Sequence, residues 1–335
     1  MTFTSSQLDN AFSIAHKYID KQMPLVFEME HPLLSKILDG KEYAEGESLQ
    51  FPISFNKMQN IATITGTVED TLNSNTQQNL TYGALNWKMW YEGFSVTHEE
   101  LVRASGSNAV VDIVTAKAEN TVESHSDSLH QQFFGSATTD PKSLNGLLDI
   151  FAASGTAYAG LTNTDFGNDI QGDGLWLPQI DTTVHYPSYS NVSPFITKIR
   201  AKSKSYLDYI LTTPAIYQRY KDLNQAAGQR FVGETDLKSG FDNIKIDGVS
   251  MIADPYCQGT GGATTDSYMY GITAKSLGLK YKYGWDKVSP LTDSKGVNLP
   301  NQPVLFRKTL YAANIYCNNR RANFVLKALS PTATS

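Results

Sequence analysis

The stretch Ser107–Gly135, SNAVVDIVTAKAENTVESHSDSLHQQFFG, decides how the rest of the chain is read. It contains no proline and its single glycine comes last, so it predicts one helix over 107–134, roughly 28 residues or about 40 Å long. Val110, Val114, Ala118 and Val122 recur every fourth residue, with Ile113, Leu129 and Phe133 beside or beyond them. That stripe is narrow, and Lys117, Glu119, Asn120, Glu123, Ser124, Ser126, Asp127 and Gln131 surround it. A helix of this length usually sits in a bundle with a wider apolar face, yet no second helix of similar length accompanies it. Its core face, Val110, Val114, Val122, Leu129 and Phe133, therefore needs a different surface to lie on.

The far end of the chain supplies one. In SLGLKYKYG (276–284), Leu277, Leu279, Tyr281 and Tyr283 alternate with other residues at a strand period. VLFRKTLYAANIYCNNRRANFVLKAL (304–329) alternates too, turns at Asn318–Asn319 and runs on through Phe324 and Leu326. These strands are expected to form an antiparallel sheet under the long helix, with the final strand folding back at the asparagine turn.

Upstream of the helix the pattern is also β. Leu49, Phe51, Ile53 and Phe55 alternate, IATITGTV alternates after a break, and LNWKMWYEGFSV returns with Trp87, Met89 and Tyr91 on one face. Between them lies a polar run almost without core-forming residues. The expectation is a long two-stranded hairpin, marginal by itself in water, with nothing in the chain obviously available to cover it. Thr97-His98-Glu99-Glu100 then forms a capping box that opens a short helix before the long one. Residues 1–48 are an amphipathic lead-in with two weak helices. Residues 136 to about 274 have α/β texture: SPFITKIRAKSKS and TPAIYQRYKDLNQAAG read as helices with proline in the first turn, and YLDYILTT, NIKIDGVSMIAD and SYMYGITA as strands.

Composition narrows the function. At 335 residues the chain can bury a substantial core. Charged residues make up only 18%, and the deficit is filled by Ser, Thr, Asn, Gln, Gly and 18 tyrosines, a surface suited to extensive contact with other protein. A net charge of −5 argues against gripping nucleic acid through a basic face. There is no run of 18 apolar residues to span a membrane, and the N-terminal stretch does not resemble a secretory signal. Cys257 and Cys317 are expected to be reduced, and the expected compartment during folding is cytoplasmic.

The search for chemistry returns no catalytic residue, no metal ligand set and no cofactor motif. His125 and His130 are five residues apart and do not share a helix face, so solvated or capping roles are expected for them. No nucleophile motif is present. Asp169–Gly174 resembles the front half of a calcium loop, but Ile180 stands where the bidentate glutamate is needed, so a loop holding its own backbone is the better reading. Gly259–Gly262 lacks the residues of a phosphate cradle, and Arg320–Arg321 beside a turn are expected to be solvated.

The order of these elements resembles the tailed-bacteriophage major capsid proteins of the Hong Kong 97-type fold. The resemblance covers nearly the whole chain. It is carried by Thr97–Ser136 followed by LNGLLDIF and GTAYAGLTNTD with Trp176 after them, and by TTPAIYQRY with the pattern GF-x-x-I-x-I-x-G-V-x-M-I-x-D. It implies an α+β fold: an N-terminal arm over 1–48, an extended E-loop over 49–93, a peripheral domain over 94–138 and 276–330 with its spine helix at 107–134, and an axial domain over 139–275. The function it implies is an icosahedral head shell, built from hexamers and pentamers of this chain, enclosing double-stranded DNA without sequence-specific binding. Implied partners are a portal and, because the arm begins near the start, a separate scaffolding protein, with a decoration protein as an optional addition. The location would be the virion capsid, assembled in host cytoplasm. Each E-loop would lie over a neighbour's peripheral domain, which supplies the missing cover for the hairpin; the expected contacts are Phe51, Phe55, Lys57, Ile61, Ile64, Trp87, Trp90 and Tyr91. Some relatives cross-link an E-loop lysine to an asparagine; for Lys57 with Asn318 or Asn319 a non-covalent contact is the expectation. The alternatives are an encapsulin-type compartment on the same fold, or a soluble enzyme or sugar-binding protein using the Gly/Asp-rich loops 160–174 and 258–266.

Overall fold

The computed structural model describes residues 42–55, 80–103, 107–153, 156–166, 174–203, 205–226, 244–259, 266–285, 297–298 and 304–331. The expected lead-in helices, the calcium-like loop, Lys57, Ile61 and Ile64 lie outside the described residues. In chain order the strands are β1 (Glu42–Ala44), β2 (Ser48–Ser54), β3 (Leu80–Asn86) and β4 (Lys88–Thr97), followed by helices α1 (His98–Arg103), α2 (Ser107–Phe133) and α3 (Leu147–Ile150). Then come β5 (Gln179–Asp181), α4 (Tyr189–Ser203), β6 (Tyr209–Thr212), α5 (Pro214–Ala226), β7 (Ile244–Ile246), β8 (Val249–Ala253), β9 (Ser267–Ile272), β10 (Leu277–Lys282), β11 (Val297–Asn298), β12 (Val304–Cys317) and β13 (Phe324–Leu329).

Two sheets and a ribbon organise these elements. The first sheet runs β1-β10-β12-β11, with β4 also paired to β12 over ten residues, from Thr97 opposite Val304 to Lys88 opposite Ala313. The second runs β5-β13-β9-β6-β8-β7. The ribbon is β2 against β3. The long helix lies where the sequence requires, on the first sheet: Val114, Ala118, Leu129 and Phe133 are buried, and Lys117 Nζ donates to the Ser95 carbonyl of β4 at 2.8 Å. The side chains of Val110 and Val122 lie outside the described residues. At its far end the helix turns to the second sheet, where Phe134 packs against Tyr270 of β9.

Several expectations are corrected. The hairpin does not run from Leu49 through Val96 as one ribbon: β3 begins at Leu80, and Trp87 ends it by donating its Nε1–H to the Gly46 carbonyl at 3.1 Å. Beyond that bend β4 joins the first sheet, so Trp90 and Tyr91 belong to the body and not to the ribbon. The base of the ribbon is covered by its own chain: Phe51, Ile53 and Leu85 are buried, and the Phe51 ring lies 5.2 Å from that of Tyr316. The last strand does not fold back on β12. A 3-10 turn at Arg320–Ala322 sends it into the second sheet, because Asn323 is tied there by its side-chain oxygen accepting from Thr273 N–H at 2.8 Å. Pro194 lies in the second turn of α4, not its first, since the helix starts at Tyr189.

The capping box is present in full. Glu100 N–H donates to Thr97 Oγ1 at 3.2 Å and Thr97 N–H donates to Glu100 Oε2 at 2.9 Å, while Lys117 reaches the same carboxylate at 2.7 Å. Lys117 and the Thr97 N–H together hold the Glu100 carboxyl below its ordinary value. A depressed acid contributes stability above the unfolded value, near pH 4, and loses it as pH falls through the folded one. Thr97→Ala is expected to cost about 1 kcal/mol at neutral pH through the lost cap while keeping its backbone N–H on Glu100, and Lys117→Met is expected to flatten this acid-dependent loss. Urea midpoints measured at several pH values check both; an acid limb in Lys117→Met parallel to the parent's would show that the ion pair contributes nothing.

Candidate assembly surface

The side chains singled out by sequence separate into buried and exposed sets. Phe51 is in the chain's own core, so it is corrected from a candidate contact with a neighbour to an anchor of the ribbon's base. The cause is the odd-numbered face of β2 and β3, which packs on the body. Phe55 also turns inward, its ring 5.4 Å from Phe166 in an edge-on contact. Trp87 is half-buried against the core. Trp90 stacks on Tyr311 at 5.8 Å, with His125 of the long helix 6.3 Å away on the same cluster. Tyr91 is 66% exposed, and the alternation of β4 puts Met89, at 54%, on the same outer face. On the ribbon, Leu80 and Tyr82 are exposed at 56% and 62%.

Beneath this face the long helix carries two histidine–carboxylate pairs. His125 Nδ1 lies 3.2 Å from Glu92 Oε2 on β4, and His130 Nε2 lies 2.8 Å from Asp254 Oδ2 beyond β8. All four side chains are buried. The expectation of solvated histidines is therefore wrong, although their separation onto two faces is right. Each face meets a different sheet, and each imidazole matches a carboxylate that could not be buried unpaired. Sequence carried half of the signal, two polar residues on faces that the apolar pattern marks as inward.

The arginines after the asparagine turn are likewise buried rather than solvated. Arg320 donates to the Ile150 carbonyl at 2.8 Å and stands over the rings of Tyr158 and Trp176, at 5.2 and 5.8 Å. Its guanidinium fastens the segment that redirects β13. Both cysteines are free and buried, and burial pushes the Cys317 thiol up to about 11, with Cys257 well above its ordinary value. Thiols held protonated are poor nucleophiles and poor ligands. Among the described residues no cluster of three His, Cys, Asp or Glu could hold a metal, and no helix is long and apolar enough to cross a membrane. In the described part of the loop 160–174, Thr162 and Asp165 satisfy each other's backbone and side chain in a self-supporting turn.

A groove of about 580 Å³ runs between β4 and the long helix. Its floor pairs Met89–Gly93 with the polar helix row Asn120, Ser124 and Ser128. The exposed apolar face beside an open polar groove is the feature of the molecule best suited to contact with protein.

No family model and no curated protein sequence matches the chain. Solved structures do match it in fold. The capsid asymmetric unit of cyanophage A-1(L) aligns with a TM-score of 0.64 at 15% identity, covering 90% of this chain and 93% of the other. The procapsid of satellite phage P4, which includes its size-determination protein, gives 0.53 at 10% identity over 93% and 98%. An encapsulin complex from Synechococcus elongatus gives 0.51 at 9% identity over 89% of each chain. The α+β architecture is thus the Hong Kong 97-type fold that the order of elements implied.

Proposed function

We propose that this chain is the major capsid protein of a tailed phage, a structural subunit that assembles into an icosahedral head around double-stranded DNA. The single observation that carries the reading is the match of fold to a cyanophage capsid subunit over about nine-tenths of each chain. The arrangement of residues supports it. His125, His130 and Arg320 are tied up in internal contacts, and the exposed aromatic residues include Tyr82 on the ribbon and Tyr91 on β4. A shell of many copies holds together through several modest interfaces per subunit, which suits a polar, weakly charged surface. The weak charge also leaves packaged DNA free of a strong cationic wall. Hexamers and pentamers of this chain are the proposed capsomers, each E-loop lying over a neighbour's peripheral domain. A portal and a separate scaffolding protein are the proposed assembly partners, a decoration protein an optional one, and host cytoplasm the place of assembly.

Electron microscopy of the purified protein tests the reading. Closed polyhedral particles in the megadalton range are expected; a monodisperse species near 37.0 kDa would overturn it. The encapsulin match favours a second reading on the same fold, a compartment that holds protein. Nuclease-protected DNA of genome length inside purified particles supports the phage head, and particles filled with protein alone support the compartment.

A further inference from the structure

We infer that the ribbon strand β3 of one copy adds edge-on to strand β4 of a neighbouring copy, making one continuous sheet across the subunit boundary. This rests on the shell reading above and specifies which backbone groups join the subunits.

The hydrogen-bond directions of both strands can be read from their ends. On β4, Thr97 N–H is taken by Glu100 and the Ser95 carbonyl by Lys117, so these odd-numbered residues point their backbone groups away from β12. At the other end Ala312, opposite Met89, sends its N–H to the Trp285 carbonyl on the far side of β12. Alternation in an antiparallel ladder then turns the N–H and C=O of Met89, Tyr91 and Gly93 outward as well. Glu100 and Lys117 close the edge at Ser95 and Thr97; among the described residues nothing closes it from Met89 to Gly93, where it borders the groove.

The ribbon has a matching edge. Ala84 N–H goes outward to the Ala159 carbonyl, and the Asn86 carbonyl accepts from Asn314, so the even-numbered residues of β3 face away from β2. That opens Leu80 and Tyr82. The opposite edge of the ribbon is blunted, because Pro52, paired with Tyr82, has no N–H to offer at an outward position.

Side chains agree with backbone. The residues with open backbone groups are also the exposed apolar ones, Leu80 and Tyr82 on one edge and Met89 and Tyr91 on the other. Paired edge to edge, they share one face and bury each other. Within one chain the two strands cannot meet in this way: a single residue, Trp87, separates them, and a tight hairpin needs a two-residue loop. A second copy is the occupant that supplies the missing strand.

Cysteine pairs test this. Four double variants combine Leu80→Cys or Tyr82→Cys with Met89→Cys or Tyr91→Cys; the native cysteines are buried and do not compete. Directly opposed residues of such a ladder stand about 5.5 Å apart at Cα, within disulfide range. Oxidised particles are expected to yield a ladder of linked chains on a non-reducing gel for at least one pair. Tyr82→Pro, which repeats on β3 what Pro52 does on β2, is expected to cut particle yield at least tenfold. Intact particles that give only single chains from all four pairs would overturn the strand addition and leave the shell reading standing. Failure of the unmodified chain to form particles at all would overturn both.

Discussion

His130→Leu is expected to lower the stability of the chain by about 3–5 kcal/mol, although the substitution is apolar and similar in size. Asp254 is the reason. Its carboxylate is buried and accepts from the imidazole at 2.8 Å and from the Tyr256 N–H at 3.0 Å. Without the imidazole, Asp254 keeps one backbone donor in a setting walled by Phe134 and Tyr256, whose rings flank His130 at 5.4 and 5.2 Å. A carboxylate cannot stay buried there at low cost. Replacing both partners, His130→Leu with Asp254→Leu, is expected to recover most of the loss, since nothing charged is then left behind. Equilibrium unfolding in urea, run as a double-mutant cycle, measures the coupling. Two single costs that simply add would show that the pair does not fasten the helix to the second sheet.

Phe51→Ala and Tyr91→Ala should part company. Phe51 is buried under Gly83, where an added methyl group would stand 2.7 Å from the Phe51 ring, and it packs against Tyr316. Its truncation opens a cavity between ribbon and body and is expected to cost about 3–5 kcal/mol. Tyr91, two-thirds exposed, should change subunit stability by no more than about 0.5 kcal/mol and act on assembly instead. Thermal denaturation of the subunit and particle yield, read side by side, separate the two. A large loss of subunit stability in Tyr91→Ala would mean that the outer face of β4 belongs to the fold.

Much of this was legible in the residues. The unbroken run from Ser107, the capping box at Thr97, the strict alternation from Leu277 and the proline that opens α5 each act over a few residues, where spacing and sterics suffice. The alternation of Leu49, Phe51 and Ile53 correctly marked one face of a strand for burial. It could not say against what, and Phe51 went to its own body because Tyr316, far along the chain, came to lie beneath it. The histidines were misread for the same reason: spacing separates His125 from His130 on the helix, but Glu92 and Asp254 are brought to them only by two different sheets.

Local sequence determined which segments are helix and which are strand, the narrow stripe that needs a sheet, and the order of elements that points to a shell-forming fold. Tertiary structure alone decided that β13 crosses to the second sheet, that the ribbon ends at Trp87, and which strand edges stay open. Periodicity reports the face a side chain prefers, a property of near neighbours in the chain. Strand partners and open edges depend on contacts between distant residues, such as Asn323 with Thr273 and Arg320 with Ile150, and no local pattern encodes them.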